Sequence, residues 1–335
     1  MKGIRATWSL VIYTNYKMNY EVEENNMKTI EIKYGTLNDA FLAGCYSTGE
    51  CEEYRVEEES ELDILGYKLV PLYGFPEVRR KEFPSVKVYK NGNIRSVALN
   101  ELTSITTKIG VFEVEKITFY EDGPINRLFL LDGKLSGYWS EDDEYNLAKT
   151  YKFSFEFASF EAKPISLHFY KTEELKSITL WPKERVDLNL GNYNIIGRIG
   201  FSLYKSGKLK SCEPFRPTTI NTPIGDIEAY DINAIGIHGD ENSLNFYEDG
   251  KIRSLITSRN TITIHTFDGD TIIHSPKKVR IYSNSEVMDT ISLNIEFRDD
   301  KVIIDNKYEY NIEGNKFEIK SFGEKQLTLS GDLNK

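Results

Sequence analysis

The chain has 335 residues, 28% of them charged, with a formal net charge of −10 and a pI near 5.2. Its Lys and Arg are dispersed, which excludes a duplex nucleic-acid footprint and docking on an anionic leaflet. No apolar run approaches the ~20 residues of a membrane helix, and 21 Tyr and 18 Phe among runs of Thr, Ile and Val are strand composition rather than disorder.

Residues 1–26 fit the remainder poorly. WSLVIY at 8–13 is too short for a signal-peptide core, and no small-residue cleavage site follows it. A poorly structured extension over 1–26, with translation starting at Met18 or Met27, is the expectation. Residues 27–85 read as an N-terminal β cap region, in which LDILGYKLV at 62–70 has the pattern of a hairpin. Three cysteines, Cys45, Cys51 and Cys212, form no even disulfide framework, which fits a reducing cytoplasm. The spacing of Cys45 and Cys51 lies outside the usual metal motifs, and residues 44–49 carry neither a paired base nor a phosphate-loop lysine. No catalytic residue, cofactor or metal is assigned.

Residues 86–290 read as a hairpin array, because one octapeptide recurs six times there. It is YKNGNIRS at 89–96, YEDGPINR at 120–127, YKTEELKS at 170–177, YKSGKLKS at 204–211, YEDGKIRS at 247–254 and YSNSEVMD at 282–289. Asn-Gly or Asp-Gly between alternating segments marks a β-hairpin. A two-residue loop would set Tyr247 opposite Ile252 and mix apolar with charged groups on both faces. A three-residue loop sets Tyr247 opposite Lys251, Phe246 opposite Ile252 and Asn245 opposite Arg253. Leu244, Phe246 and Ile252 then share one face while the tyrosine and the bases share the other. This predicts a type I turn closed by a left-handed glycine. The third copy has Glu173 and the sixth Ser285 at the glycine position, so these turns adopt another loop or carry a left-handed cost.

Between these hairpins lie weaker hairpin patterns at 105–114, 186–195, 220–229 and 262–273. The full unit is then four short strands. After Trp139, Ser140 with Asp143 three residues on predicts a capped helix, with Glu141 and Asp142 in its first turn. That assignment explains the acidic run 141–144 better than a calcium loop, which needs a sharp glycine turn. The acidic spots at 238–242 and 267–270 are turn residues, and His265 with His274 lacks a neighbouring cysteine for zinc. Residues 291–335 read as a C-terminal β cap.

FYEDGKI and Leu131-Asp-Gly-Lys-Leu-Ser-Gly-Tyr-Trp139 resemble MORN-like repeats, in the bacterial variant found in antitoxin-like repeat proteins. The resemblance covers about residues 86–290. It implies a curved antiparallel meander serving as a scaffold or partner surface, and no catalytic residue. From the residues alone the fold is all-β: repeated antiparallel hairpins in an elongated, solenoid-like meander, with a six-bladed β-propeller as the alternative.

The tyrosines Tyr89, Tyr120, Tyr170, Tyr204, Tyr247 and Tyr282 share the face opposite the aliphatics. They form either a ladder for a ligand or cross-strand pairs that stabilise the sheet. The functional expectation is a cytoplasmic, non-enzymatic binder or scaffold with a protein partner. The alternative is a carbohydrate-binding or carbohydrate-active protein that holds an oligosaccharide on the tyrosine stripe with Trp139 and Trp181.

Overall fold

The computed structural model describes residues 28–75, 79–80, 84–234, 239–280 and 288–323. The expected extension over 1–26 and the turn led by Tyr282 lie outside them. Among the described residues the chain is all-β apart from one helix, Glu141–Leu147. It divides into two compact units. The first holds the described residues up to Lys149 with Ile165–Glu174. The second holds Thr150–Pro164 with those from Leu175 onward.

Each unit is built on one antiparallel sheet in which successive hairpins are hydrogen-bonded to one another. In the first unit the order is Lys28–Ile32, Gly35–Cys45, Cys51–Val56, Val86–Val88, Ile94–Thr107, Gly110–Phe119, Ile125–Phe129 and Pro164–Phe169. In the second it is Leu175–Leu180, Asn194–Leu203, Leu209–Pro214, Leu244–Phe246, Ile252–Thr257, Leu293–Arg298, Lys301–Ile304 and Tyr308–Asn311. A propeller would end each sheet at the edge of its repeat. Here the ladder runs from one repeat to the next, which decides for the meander.

The expected three-residue loop forms. The Tyr247 N–H donates to the Lys251 carbonyl at 2.8 Å, the Gly250 N–H donates to the Tyr247 carbonyl at 2.9 Å, and Phe246 faces Ile252. The same bond pair closes the turns led by Tyr89, Tyr120, Tyr170 and Tyr204. Gly250 sits at φ 86°, where an L side chain is strained. Glu173 accepts that strain at φ 71° and closes an identical loop.

One residue further from the turn the expected register fails. Asn245 lies opposite Ser254, not Arg253, so Arg253 is an extra residue in its strand. Arg95, Asn126 and Lys210 are extra in the same place. The reason is apolar burial. Ile252 and Leu255 are three residues apart, an odd interval that a regular strand would split between faces. The bulge returns Leu255 to the core at 0% exposure and leaves Arg253 with Ser254 on the polar side. It also aligns a polar row across each sheet: Lys87, Ser96, Thr118, Arg127 and His168 in one, Ser177, Ser202, Ser211, Asn245 and Ser254 in the other.

The intervening patterns form further hairpins at the expected places: Leu62–Ile64 with Tyr67–Leu69, the distal half of Ile94–Thr107 with Gly110–Phe119, Val186–Asn189 with Asn194–Leu203, Thr218–Thr222 with Gly225–Ala229, and Asn260–His265 with Thr271–His274. Each hides an apolar row of its own, such as Ile220, Ile227 and Ala229. Tyr151–Phe155 with Ala158–Ala162 is an additional hairpin in the second unit. It sets the rings of Phe155, Phe157 and Phe160 edge-on to Phe201 of the main sheet at 5.6, 5.6 and 5.9 Å. There the core lies between main sheet and added hairpin.

Candidate functional site

The repeated tyrosines join hairpin to hairpin. Tyr89 Oη donates to the Phe119 carbonyl and Tyr120 Oη to that of Phe169, both at 2.8 Å. In the second unit Tyr204 Oη donates to Phe246 at 2.8 Å and Tyr247 Oη to Phe297 at 2.7 Å. The acceptor is the last residue of the next hairpin's first strand for Phe119, Phe169 and Phe246, and the last but one for Phe297, close to where the backbone ladder gives way to a turn and a carbonyl needs another donor. A phenylalanine could pack there but could not donate. The rings are half-buried and flanked by cations: Arg95 lies 6.0 Å from the Tyr89 ring, Lys171 5.4 Å from Tyr120 and Lys210 5.9 Å from Tyr204. Tyr170 occupies the same turn position and is likewise half-buried.

Two further elements belong to this system and carry no octapeptide. Residues 46–51 form another such turn, closed by Tyr46 and Gly49, with Tyr46 Oη donating to the Val88 carbonyl at 2.9 Å. Cysteines replace the aliphatic pair there and hide the match, although Tyr-x-x-Gly survives. The intervening hairpins have staples of their own. Tyr67 Oη contacts the backbone of Thr106, and Tyr193 Oη donates to the Asn221 carbonyl at 3.0 Å. Leu65-Gly66-Tyr67 and Leu190-Gly191-Asn192-Tyr193 are the sequence signal for these.

Between the two sets of turns each unit has a groove. In the first unit it has a volume near 740 Å³ and runs from Leu65 and Tyr67 past Thr106–Lys108 to Asp122, Gly123 and Glu173. In the second, two adjoining hollows of about 480 and 1200 Å³ run from Leu190 and Tyr193 past Asn221 and Thr222 to Glu248, Asp249 and Gly250. The parts correspond: a Leu-Gly-Tyr turn, the tip of the next intervening hairpin, and the Asp-Gly turn of a tyrosine hairpin. No single polar cluster dominates either groove. Lys108 Nζ is held by the Thr172 carbonyl at 2.6 Å and Glu174 at 2.9 Å. Bonds from Thr172 and Lys108 pull the Glu174 carboxyl down to about 2. Asp122 is lowered by Lys171, and Asp249 by the backbone N–H and then the side chain of Lys251. These carboxylates are ionised and suit recognition rather than proton donation.

The most deeply buried charges are elsewhere. Arg79 joins Glu115 and Glu144, Arg80 also reaches Glu115, and Trp139 Nε1 donates to Glu144 at 2.6 Å. The predicted capping box forms, with reciprocal Ser140 and Asp143 bonds, and the helix turns Glu144 inward to 3% exposure. Trp139 is thereby anchored, and Trp181, at 7% exposure, presents no ring at the surface. In the second unit Glu213 accepts bonds from the N–H and hydroxyl of Ser243, both at 2.8 Å, and burial raises its carboxyl above the ordinary range. These groups fasten loops to sheets. His265 and His274 do not face each other; their partners are Thr271 and Ile262.

Among the described residues no group of three or more His, Cys, Asp and Glu gathers as a metal site would require, and no helix is long and apolar enough to cross a membrane. Comparison with protein-family models, curated proteins and solved structures finds no match to the chain.

Proposed function

We propose that the chain is a non-enzymatic scaffold that holds an extended segment of a protein partner along the grooves between its two sets of turns. The observation that carries this reading is the recurrence of the groove. Corresponding turns line it in both units, whereas a catalytic site concentrates perturbed groups in one cleft. Asp122 in the first groove and Asp249 in the second are lowered, which favours charge pairing with a partner over acid–base chemistry. The MORN-like resemblance and its implied partner surface agree with this, as does the structural use of the tyrosine hydroxyls.

The test is affinity capture from source-cell lysate with the full chain and with Tyr193→Ala and Leu65→Asp variants of unchanged melting temperature. A stoichiometric protein retained by the parent and lost by the variants supports the scaffold. No stoichiometric protein, or one retained equally by the variants, overturns it. A melting shift with oligosaccharides that these variants abolish would transfer the grooves to sugar binding, for which Asn189, Asn192 and Asn221 supply amides.

A further inference from the structure

The turn led by Tyr46 differs from its relatives in one respect. Where Val88 faces Ile94 and Phe246 faces Ile252, this hairpin places Cys45 opposite Cys51. The pair lies just outside the last turn bond, from the Tyr46 N–H to the Glu50 carbonyl at 3.0 Å. That makes it a non-hydrogen-bonded pair, the kind whose Cα atoms approach to about 4.5 Å. Such a separation lies within the range that a disulfide spans. Burial first, then the neighbouring Cys51 and Cys45, raise the Tyr54 phenol of the same hairpin above the ordinary tyrosine range. Both cysteines are reduced and exposed, while Cys212 is fully buried and its thiol is pushed up by burial.

We propose that Cys45 and Cys51 form a reversible redox-modification site whose co-reactant is a low-molecular-weight disulfide. The thiolate of one cysteine attacks a sulfur of the small disulfide, forms a mixed disulfide and expels one small thiolate. The other cysteine then attacks the protein sulfur of that mixed disulfide and expels the second. Two protein thiols are oxidised to one cross-strand disulfide and one small disulfide is reduced to two thiols. The two protons pass from the cysteines to the released thiolates. Held opposite each other, the cysteines complete the second step faster than the mixed disulfide can meet another small thiol. The bond would clasp the base of the turn whose tyrosine holds the Val88 carbonyl.

The test uses the full chain incubated with oxidised glutathione at millimolar concentration, followed by mass analysis and thiol counting. Cleavage after Glu50 separates the two cysteines, so peptides linked by a disulfide part only on reduction. The expected result is loss of two of three thiols, with the 45–51 disulfide exceeding mixed disulfides at least about tenfold, because thiols tethered within reach of each other act at high effective concentration. Dithiothreitol restores the thiols. Cys45→Ser and Cys51→Ser should each convert the product to a lasting mixed disulfide on the remaining cysteine. Retention of both thiols, lasting glutathione adducts on the parent, or disulfide-linked dimers would overturn the site. The scaffold reading does not enter this outcome.

Discussion

Replacing Tyr247 by phenylalanine removes one oxygen and keeps the ring. That hydroxyl donates at 2.7 Å to the carbonyl of Phe297, a residue only 3% exposed. A typical hydrogen bond contributes ~0.5–1.5 kcal/mol net, and stranding a buried acceptor costs ~1–3 kcal/mol. The tyrosine ring is half-buried, so water reaches part of the site and the expected loss is about 1–2 kcal/mol. For a unit of this size that corresponds to a melting shift of about 3–6 °C. Urea unfolding followed by circular dichroism measures it, with Trp181 fluorescence reporting on the same unit. Two compact units need not melt together, so the transition assigned to the second is the one to fit. A Tyr247→Phe protein within about 0.3 kcal/mol of the parent would show that solvent satisfies the Phe297 carbonyl. The tyrosines would then need another explanation, with a ligand surface the first to consider.

Glu173→Gly relieves a left-handed position and should stabilise the Tyr170 turn by about 0.5–1 kcal/mol, measured by the same urea series. Glu115→Ala leaves Arg80 without its buried counter-charge and Arg79 with Glu144 alone, and a loss of about 3–5 kcal/mol is expected from equilibrium unfolding. Because burial raises the folded-state carboxyl of Glu213, its stabilising contribution is present below the unfolded value and falls as pH rises through the folded one. Stability of the parent relative to Glu213→Gln should therefore decline from about pH 4 upward. A difference that is flat with pH would contradict this.

How far the sequence reached depends on which force set each feature. The turn register was legible because a slip of one residue would have inverted every apolar side chain, and the octapeptide repeats that constraint six times. The helix start was legible because Ser140 and Asp143 cap it locally. The bulge at Arg253 also left a trace, the three-residue step from Ile252 to Leu255, but it is weak beside the alternation that surrounds it. The groove was less visible. Leu65, Tyr67 and Asp122 meet only because hairpins distant in sequence bring their turns side by side, and no local pattern encodes that.

Alternating side chains and turn residues determined, without help from the rest of the chain, an all-β molecule of tyrosine-led hairpins. Local sterics and periodicity suffice for that. Only the tertiary structure decided between meander and propeller, because both use the same hairpins and differ in whether one repeat's edge bonds to the next. It also decided what the tyrosines do: a phenol written in one hairpin is explained by a carbonyl left open in another, 30 to 50 residues away.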